Sequence, residues 1–125
     1  MAGLTILNTY TLRGSVGDFK TAFTALAARV EAEGELGVLS YRFFVSADAG
    51  LARAVIDYAT PKAWIGHHDI SMAWPEMTAL HGVAALSHVT FLGPITPEIR
   101  AWLDRSGLKA QVETGYVASA GFCRT

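Results

Sequence analysis

The stretch DYATPKAWIGHHDISMAWPEMTALH, residues 57–81, contains three of the four histidines and two of the three tryptophans of the chain. An apolar run, Leu51–Tyr58, leads into it. Thr60 and Pro61 then give a helix start, because the threonine hydroxyl can accept from a free backbone N–H and proline already has helical φ. The stretch therefore predicts a strand that passes directly into a helix.

Helical spacing places aromatic and imidazole side chains of this first helix on one face. Trp64 shares a face with His67 and His68, because residues three and four apart lie above one another on a helix. Asp69–Ser71 is predicted to break the helix, with Ser71 as the cap of a second one.

The second helix also has aromatic and imidazole residues at helical spacing. Trp74, Met77 and His81 recur at i, i+3 and i+7, and Pro75 is tolerated in a first turn. Both helices can thus direct aromatic and imidazole groups into one space.

The first strand, Leu4–Leu12, alternates in polarity and has a polar residue on its apolar face. Asn8 lies between Ile6 and Tyr10 on that face. A buried carboxamide without partners costs on the order of 1–3 kcal/mol. Asn8 is therefore either a satisfied structural residue or one that lines a pocket.

Caps, periodicity and turn residues predict the remaining elements. A helix begins at Ser15 and ends at Gly34 in the left-handed conformation. Strands are predicted at Gly37–Val45, Leu51–Tyr58, Ser87–Leu92 and Gln111–Val117, and a further helix between Pro97 and Gly107. This order predicts an α+β, ferredoxin-like βαββαβ fold with a four-stranded antiparallel sheet and an extra C-terminal helix and strand.

Composition limits the classes of partner. A chain of 125 residues with a net charge of −1 predicts one domain and no nucleic-acid partner. Residues 78–97 carry no charge, but histidines, Gly93 and Pro94 interrupt this run, so no membrane segment is predicted. The N-terminus resembles no signal peptide, which predicts a cytoplasmic location. An apolar content of 51% with a mean hydropathy of +0.30 predicts a homodimer.

Residues 4–95 resemble the antibiotic-biosynthesis-monooxygenase-like family of the dimeric α+β barrel superfamily. The resemblance rests on the element order, on Asp57-Tyr58-Ala59 and on Pro61-Lys-Ala-Trp-Ile-Gly-His67. It implies domain 1–95 with an extension, 96–125, that stabilises the assembly by crossing to the partner subunit. It also implies a homodimer with a small-molecule cavity between sheet and helices in each subunit.

Members of this family differ in activity. Some oxidise aromatic polyketides or quinols without metal or flavin, some degrade haem, and many have no known activity. Haem-degrading members use an asparagine on the first strand, a tryptophan after the third and a histidine about ten residues later. Asn8 matches the asparagine, but His67 stands at the tryptophan position, and the haem-ligand position falls near Met77 rather than His81.

The first hypothesis is a cofactor-independent monooxygenase acting on a phenolic or quinol-like aromatic substrate. Removing the phenolic proton lets the substrate's own anion reduce oxygen, and an imidazole of near-neutral pKa suits that task. His67 is the predicted base, and Asn8 is the predicted hydrogen-bond partner of the developing anion. The residues predicted to bind the substrate are Tyr58, Trp64, Trp74, Met77 and His81.

Two alternatives stay open. The first is a non-catalytic or stress-related dimer that holds a small aromatic or hydrophobic ligand. The second is a haem-binding or haem-degrading protein. No His-x-x-x-His or carboxylate–His helical spacing is present, so no metal site is predicted.

Overall fold

The strands alternate apolar and polar residues, and the helices carry apolar stripes, so the helices pack on one face of a sheet. The structure is a computed structural model that describes residues 3–124. The elements are β1 (Leu4–Leu12), α1 (Val16–Glu33), β2 (Val38–Ser46), β3 (Leu51–Tyr58), α2 (Pro61–Ser71), α3 (Pro75–Val83), β4 (Ala84–Leu92), α4 (Pro97–Ser106) and β5 (Gln111–Tyr116). Within residues 3–124, no helix is both long and apolar enough to cross a membrane.

The predicted α+β, ferredoxin-like fold is confirmed, but the sheet has five strands rather than four. The strand order is β2-β3-β1-β4-β5, and the first four are antiparallel to their neighbours. Strand β5 runs parallel to β4. A parallel neighbour requires a crossover connection, and α4 provides it. The predicted C-terminal helix and strand therefore extend the sheet at the β4 edge.

The alternation predicted for β1 sets the two faces of the sheet. Leu4, Ile6 and Tyr10 are buried against the helices, whereas Leu7 on the other face is 36% exposed. Asn8 is on the helix-facing side, in register with Ala54 of β3 and Val89 of β4. The face without helices remains open in the single chain.

Two predicted helix boundaries are wrong. Gly34 ends α1 with extended backbone, φ −85°, rather than in the left-handed conformation. Glycine is still required there, because a Cβ atom would lie 2.7 Å from the carbonyl oxygen of Val30. Helix α2 continues through Asp69–Ser71, and the hydroxyl of Ser71 donates to the carbonyl of His67 at 2.7 Å instead of capping α3.

The predicted start of α2 is confirmed and fixes the direction of the central histidines. The Thr60 hydroxyl accepts from the backbone N–H of Ala63 at 3.2 Å, and Pro61 occupies the first turn. Tyr58, fully buried, ends β3 two residues earlier. Tyr58 at the end of β3 and the first turns of α2 therefore lie next to each other on the helix-facing side of the sheet.

Candidate functional site

A partly enclosed cavity of about 300 Å³ lies between the helix-facing side of the sheet and helices α2, α3 and α4. Six of the seven predicted site residues line it: Asn8, Tyr58, Trp64, His67, Met77 and His81. The mouth of the cavity lies near Met72 and Leu108, the lining residues with 42% and 38% exposure. A volume of this size is at the lower end of small-molecule sites.

A second depression of about 330 Å³ lies between the end of α1 and the start of β2. It is more open, and Leu36 and Leu39 in its lining are 92% and 55% exposed. None of the unpartnered buried side-chain atoms found in the described chain belongs to a residue of this depression. The cavity under the sheet is therefore the better candidate for a binding site.

Trp74 is the one predicted substrate-binding residue that does not line the cavity. It is the N-cap of α3, with extended backbone, and so lies outside the helical repeat that includes Met77 and His81. Its ring packs under the guanidinium of Arg29, 4.3 Å from the ring centroid, and Arg29 also bonds Glu76 at 2.9 Å. Trp74 therefore joins α1 to α3 on the outside of the cavity.

Unpaired polar atoms are concentrated in this cavity. Among residues 3–124, three buried side-chain atoms have no hydrogen-bond partner: Asn8 Oδ1, Tyr58 OH and His67 Nδ1. All three belong to lining residues. Buried polar groups are normally paired, and each unpaired one costs about 1–3 kcal/mol. Three such groups around one cavity can form hydrogen bonds to water or to a bound molecule.

The central imidazole is held in an apolar, aromatic environment. His67 is 2% exposed, and its ring centroid lies 5.3 Å from that of Tyr41 and 6.0 Å from that of Tyr58. Burial, with a smaller effect from His68, lowers the pKa of His67 to about 3. The near-neutral pKa expected from the sequence is therefore wrong, and burial keeps His67 uncharged at physiological pH.

His68 is a lining residue to which the sequence assigned no role. Its Nδ1 donates to the carbonyl of Trp64 at 2.7 Å, and its ring packs on that of Trp64 with centroids 4.2 Å apart. This bond holds the neutral ring in the Nδ1–H form, so that Nε2 has the lone pair. Burial lowers the pKa of His68 to about 4. The spacing from Trp64 was a usable signal, because i+3 and i+4 lie on one helical face.

Two further tyrosines complete the aromatic wall and were not singled out from the sequence. Tyr10 on β1 and Tyr41 on β2 both line the cavity. Burial raises the pKa of Tyr10 to about 12 and also raises the pKa values of Tyr41 and Tyr58 well above their usual range. All three phenols are therefore protonated at physiological pH. Asn8 Nδ2 points to the Tyr10 hydroxyl at 3.4 Å, a long contact that leaves Asn8 Oδ1 directed elsewhere.

The C-terminal extension forms part of the cavity, so the prediction that it only stabilises the assembly is wrong. Trp102 of α4 lines the cavity together with Ser106 and Leu108. The Trp102 ring meets that of Trp64 edge to face at 5.0 Å, and its indole N–H donates to Asp69 at 3.1 Å. Phe122, which also belongs to the extension, is 76% exposed in the single chain.

The described residues contain no group of three or more histidine, cysteine or carboxylate side chains placed to hold a metal ion. What the cavity supplies is neutral hydrogen-bonding groups within aromatic and aliphatic walls. Such a site can hold an aromatic ring, and it can place a hydroxyl of that ring against an imidazole and a carboxamide.

The fold is similar to those of several solved structures. SnoaB, a cofactor-independent oxygenase from Streptomyces nogalater, matches with a TM-score of 0.62 and 15% identity, over 77% of this chain and 96% of its own. A proposed antibiotic biosynthesis monooxygenase from Caulobacter crescentus matches with a TM-score of 0.59 and 22% identity, over 76% and 92% of the two chains.

MupZ from Pseudomonas fluorescens covers more of the chain. It matches with a TM-score of 0.58 and 17% identity, over 97% of this chain and 93% of its own. No family model and no curated protein matches the sequence. At these identities the likeness concerns the fold, which is that of antibiotic-biosynthesis-monooxygenase-like proteins.

Proposed function

We propose that this chain, which has the fold of antibiotic-biosynthesis-monooxygenase-like proteins, is a cofactor-independent monooxygenase for a phenolic or quinol-like aromatic substrate. The observation that carries the proposal is the set of three unpaired polar atoms, Asn8 Oδ1, Tyr58 OH and His67 Nδ1, around one aromatic-walled cavity. The neighbour SnoaB, described as a cofactor-independent oxygenase, supports the reaction class as an analogy of fold.

The substrate itself supplies the electrons in such a reaction. Loss of the phenolic proton gives an electron-rich anion that can transfer an electron to O2. In an anthrone-type substrate, which is the tautomer of a phenol, the ring methylene then becomes a carbonyl. One oxygen atom of O2 enters the product, and the other leaves as water with the two methylene hydrogens. No external reductant is required, so the protein's tasks are to hold the ring, accept the proton and stabilise the anion.

His67 is the proposed proton acceptor. In the tautomer protonated at Nε2, its unpaired Nδ1 has a lone pair directed at no protein group. The pKa of about 3 reflects burial among lining residues that include no carboxylate to act as counter-ion for an imidazolium. A substrate anion formed beside the ring provides that counter-ion and raises the pKa again. Proton transfer is thus favourable only together with formation of the anion.

Asn8 is the proposed hydrogen-bond partner of the substrate oxygen. It is on the central strand β1, whose backbone is paired on both sides, so its side chain starts from a rigid position. A carboxamide that already lacks a partner for its oxygen can bond a substrate hydroxyl without breaking a protein bond. Tyr58 OH provides a further neutral donor to the ring substituents.

Ligand binding without catalysis is the second candidate, and one observation favours it. The low pKa of His67 makes it a weak base until an anion is present, and the same cavity can simply hold a neutral aromatic molecule. Binding to the cavity without oxygen uptake would support this candidate.

Oxygen consumption tests the proposal. The wild-type protein is mixed with a panel of quinols and anthrones, with uptake followed by an electrode and products by mass spectrometry. We expect His67→Phe, which keeps a ring in place, to lower kcat by about 100- to 10,000-fold. His68→Phe tests whether the neighbouring imidazole is the acceptor instead, and His88→Phe, on the open face of the sheet, is the matched control. Uptake by His67→Phe at the wild-type rate would exclude His67 as the acceptor, and silence of the wild type across the panel would leave ligand binding as the function.

A further inference from the structure

The charges of the residues that line the cavity limit which ligands can bind in it. Every lining residue is apolar, aromatic or polar without a fixed charge, and no aspartate, glutamate, lysine or arginine is among the lining residues of the described chain. The titratable lining groups are Tyr10, Tyr41, Tyr58, His67, His68 and His81. A ligand inside the cavity therefore meets no permanent counter-charge.

The titratable groups do not supply a charge at physiological pH either. Burial lowers the pKa of His67 to about 3 and that of His68 to about 4. The pKa of His81 is lowered by burial and then by Arg13. Burial raises the pKa values of the three tyrosines, so they stay protonated. The wall is neutral because its ionisable groups are buried, which is the general effect of removing a charge from water.

Two charged side chains that contact lining residues are already engaged. The guanidinium of Arg13 donates to the backbone carbonyl of His81 at 3.1 Å. The carboxylate of Asp69 accepts from the indole N–H of Trp102 at 3.1 Å. Neither residue lines the cavity. A neutral phenol brings the proton that His67 would accept, but a carboxylate arrives already charged and without one. It would therefore lose its hydration without gaining an ion pair, which is the costly case for a buried charge.

We propose that this cavity selects uncharged hydroxylated aromatic molecules and rejects the same ring systems when they carry a carboxylate. Its three unpartnered atoms, Asn8 Oδ1, Tyr58 OH and His67 Nδ1, match hydroxyl groups, which can both donate and accept. The inference rests on the proposed function only in taking this cavity as the ligand site. It places the substrate after a step that removes or masks an acid group, or in a series of compounds that has none.

Three probes of one ring system separate charge from size. They are 2-naphthol, 6-hydroxy-2-naphthoic acid and the methyl ester of that acid, with binding followed by calorimetry and tryptophan fluorescence at pH 7. The ester has the shape of the acid without its charge. We expect 2-naphthol and the ester to bind, and the acid to bind at least about 30-fold more weakly than the ester, as expected for a buried unpaired charge.

Two variants show that the binding occurs in this cavity. Asn8→Leu removes one of the unpartnered atoms and should weaken 2-naphthol binding several-fold. Leu39→Ala, in the separate surface depression, should leave it unchanged. Sensitivity to Leu39→Ala with no effect of Asn8→Leu would overturn the assignment of the site.

The remaining outcomes decide the proposal directly. Equal affinity for acid and ester overturns it, as does failure of the ester to bind, because size rather than charge would then set the limit. No binding of 2-naphthol also overturns it. The measurement needs no turnover, so charge selection without oxygen uptake would uphold this inference while the proposed oxygenase activity fails.

Discussion

Acid should destabilise this protein well above the pH at which carboxylates titrate, because two imidazoles with lowered pKa values must lose their protons when the chain folds. His67 and His68 have folded-state pKa values of about 3 and about 4, both lowered chiefly by burial. In the unfolded chain each has a pKa near 6.5. Between these values the unfolded state binds more protons, so stability is complete above about pH 7 and falls as pH falls.

The size of the effect follows from the width of the window. Between pH 8 and pH 5, protonation of a histidine of pKa 6.5 stabilises the unfolded chain by about 2 kcal/mol. The folded chain gains almost nothing, because its histidine stays unprotonated. Two such residues lower the free energy of unfolding by about 4 kcal/mol. This is a large part of the 5–15 kcal/mol typical of a domain.

Urea unfolding at pH 8, 7, 6 and 5, followed by tryptophan fluorescence at one protein concentration, measures this slope. His67→Phe should remove up to about half of the decline between pH 8 and 5, because one of the imidazoles with a lowered pKa no longer titrates. Tyr41→Phe, in the same cavity but without an imidazole, should keep the wild-type slope. A wild type whose stability is the same at pH 8 and pH 5, or a His67→Phe variant with the full wild-type decline, would refute the reasoning.

Three other predictions concern the cavity wall and the assembly. Trp102→Ala should enlarge the cavity and destabilise the fold by about 2 kcal/mol, whereas Asp69→Asn, which only weakens the indole hydrogen bond, should cost less, as thermal unfolding will show. Ending the chain after residue 95 removes α4 and its part of the wall, so 2-naphthol binding should be lost; calorimetry that finds unchanged affinity would instead assign the extension to the assembly alone. A homodimer is expected because one sheet face lacks helices, and Leu7→Asp on that face should shift sedimentation at micromolar concentration toward the monomer, while a stable wild-type monomer would contradict this.

The spacing of residues along the sequence correctly predicted the direction of a side chain wherever the backbone geometry of one strand or helix determines that direction. The period of two in β1 placed Asn8 on the buried side of the sheet, and it does lie there. The spacing of Trp64, His67 and His68 placed them on one face of α2, and all three line the cavity. The same reasoning gave the wrong direction for Trp74. That residue precedes α3 with extended backbone, so a helical period does not describe its side chain.

The element order and the strand alternation determined the ferredoxin-like core, since each strand or helix has to bury its own apolar face. Tertiary structure alone decided the properties of the site. The parallel pairing of β5 with β4 brings α4 and Trp102 to the cavity, which sequence spacing cannot show because the contact joins distant segments. The pKa of His67 depends on how many groups exclude water from the ring, and those groups come from β2, β3 and α2 together. The sequence does not show whether a histidine is solvated or buried, so its charge state is determined only when the chain has folded around it.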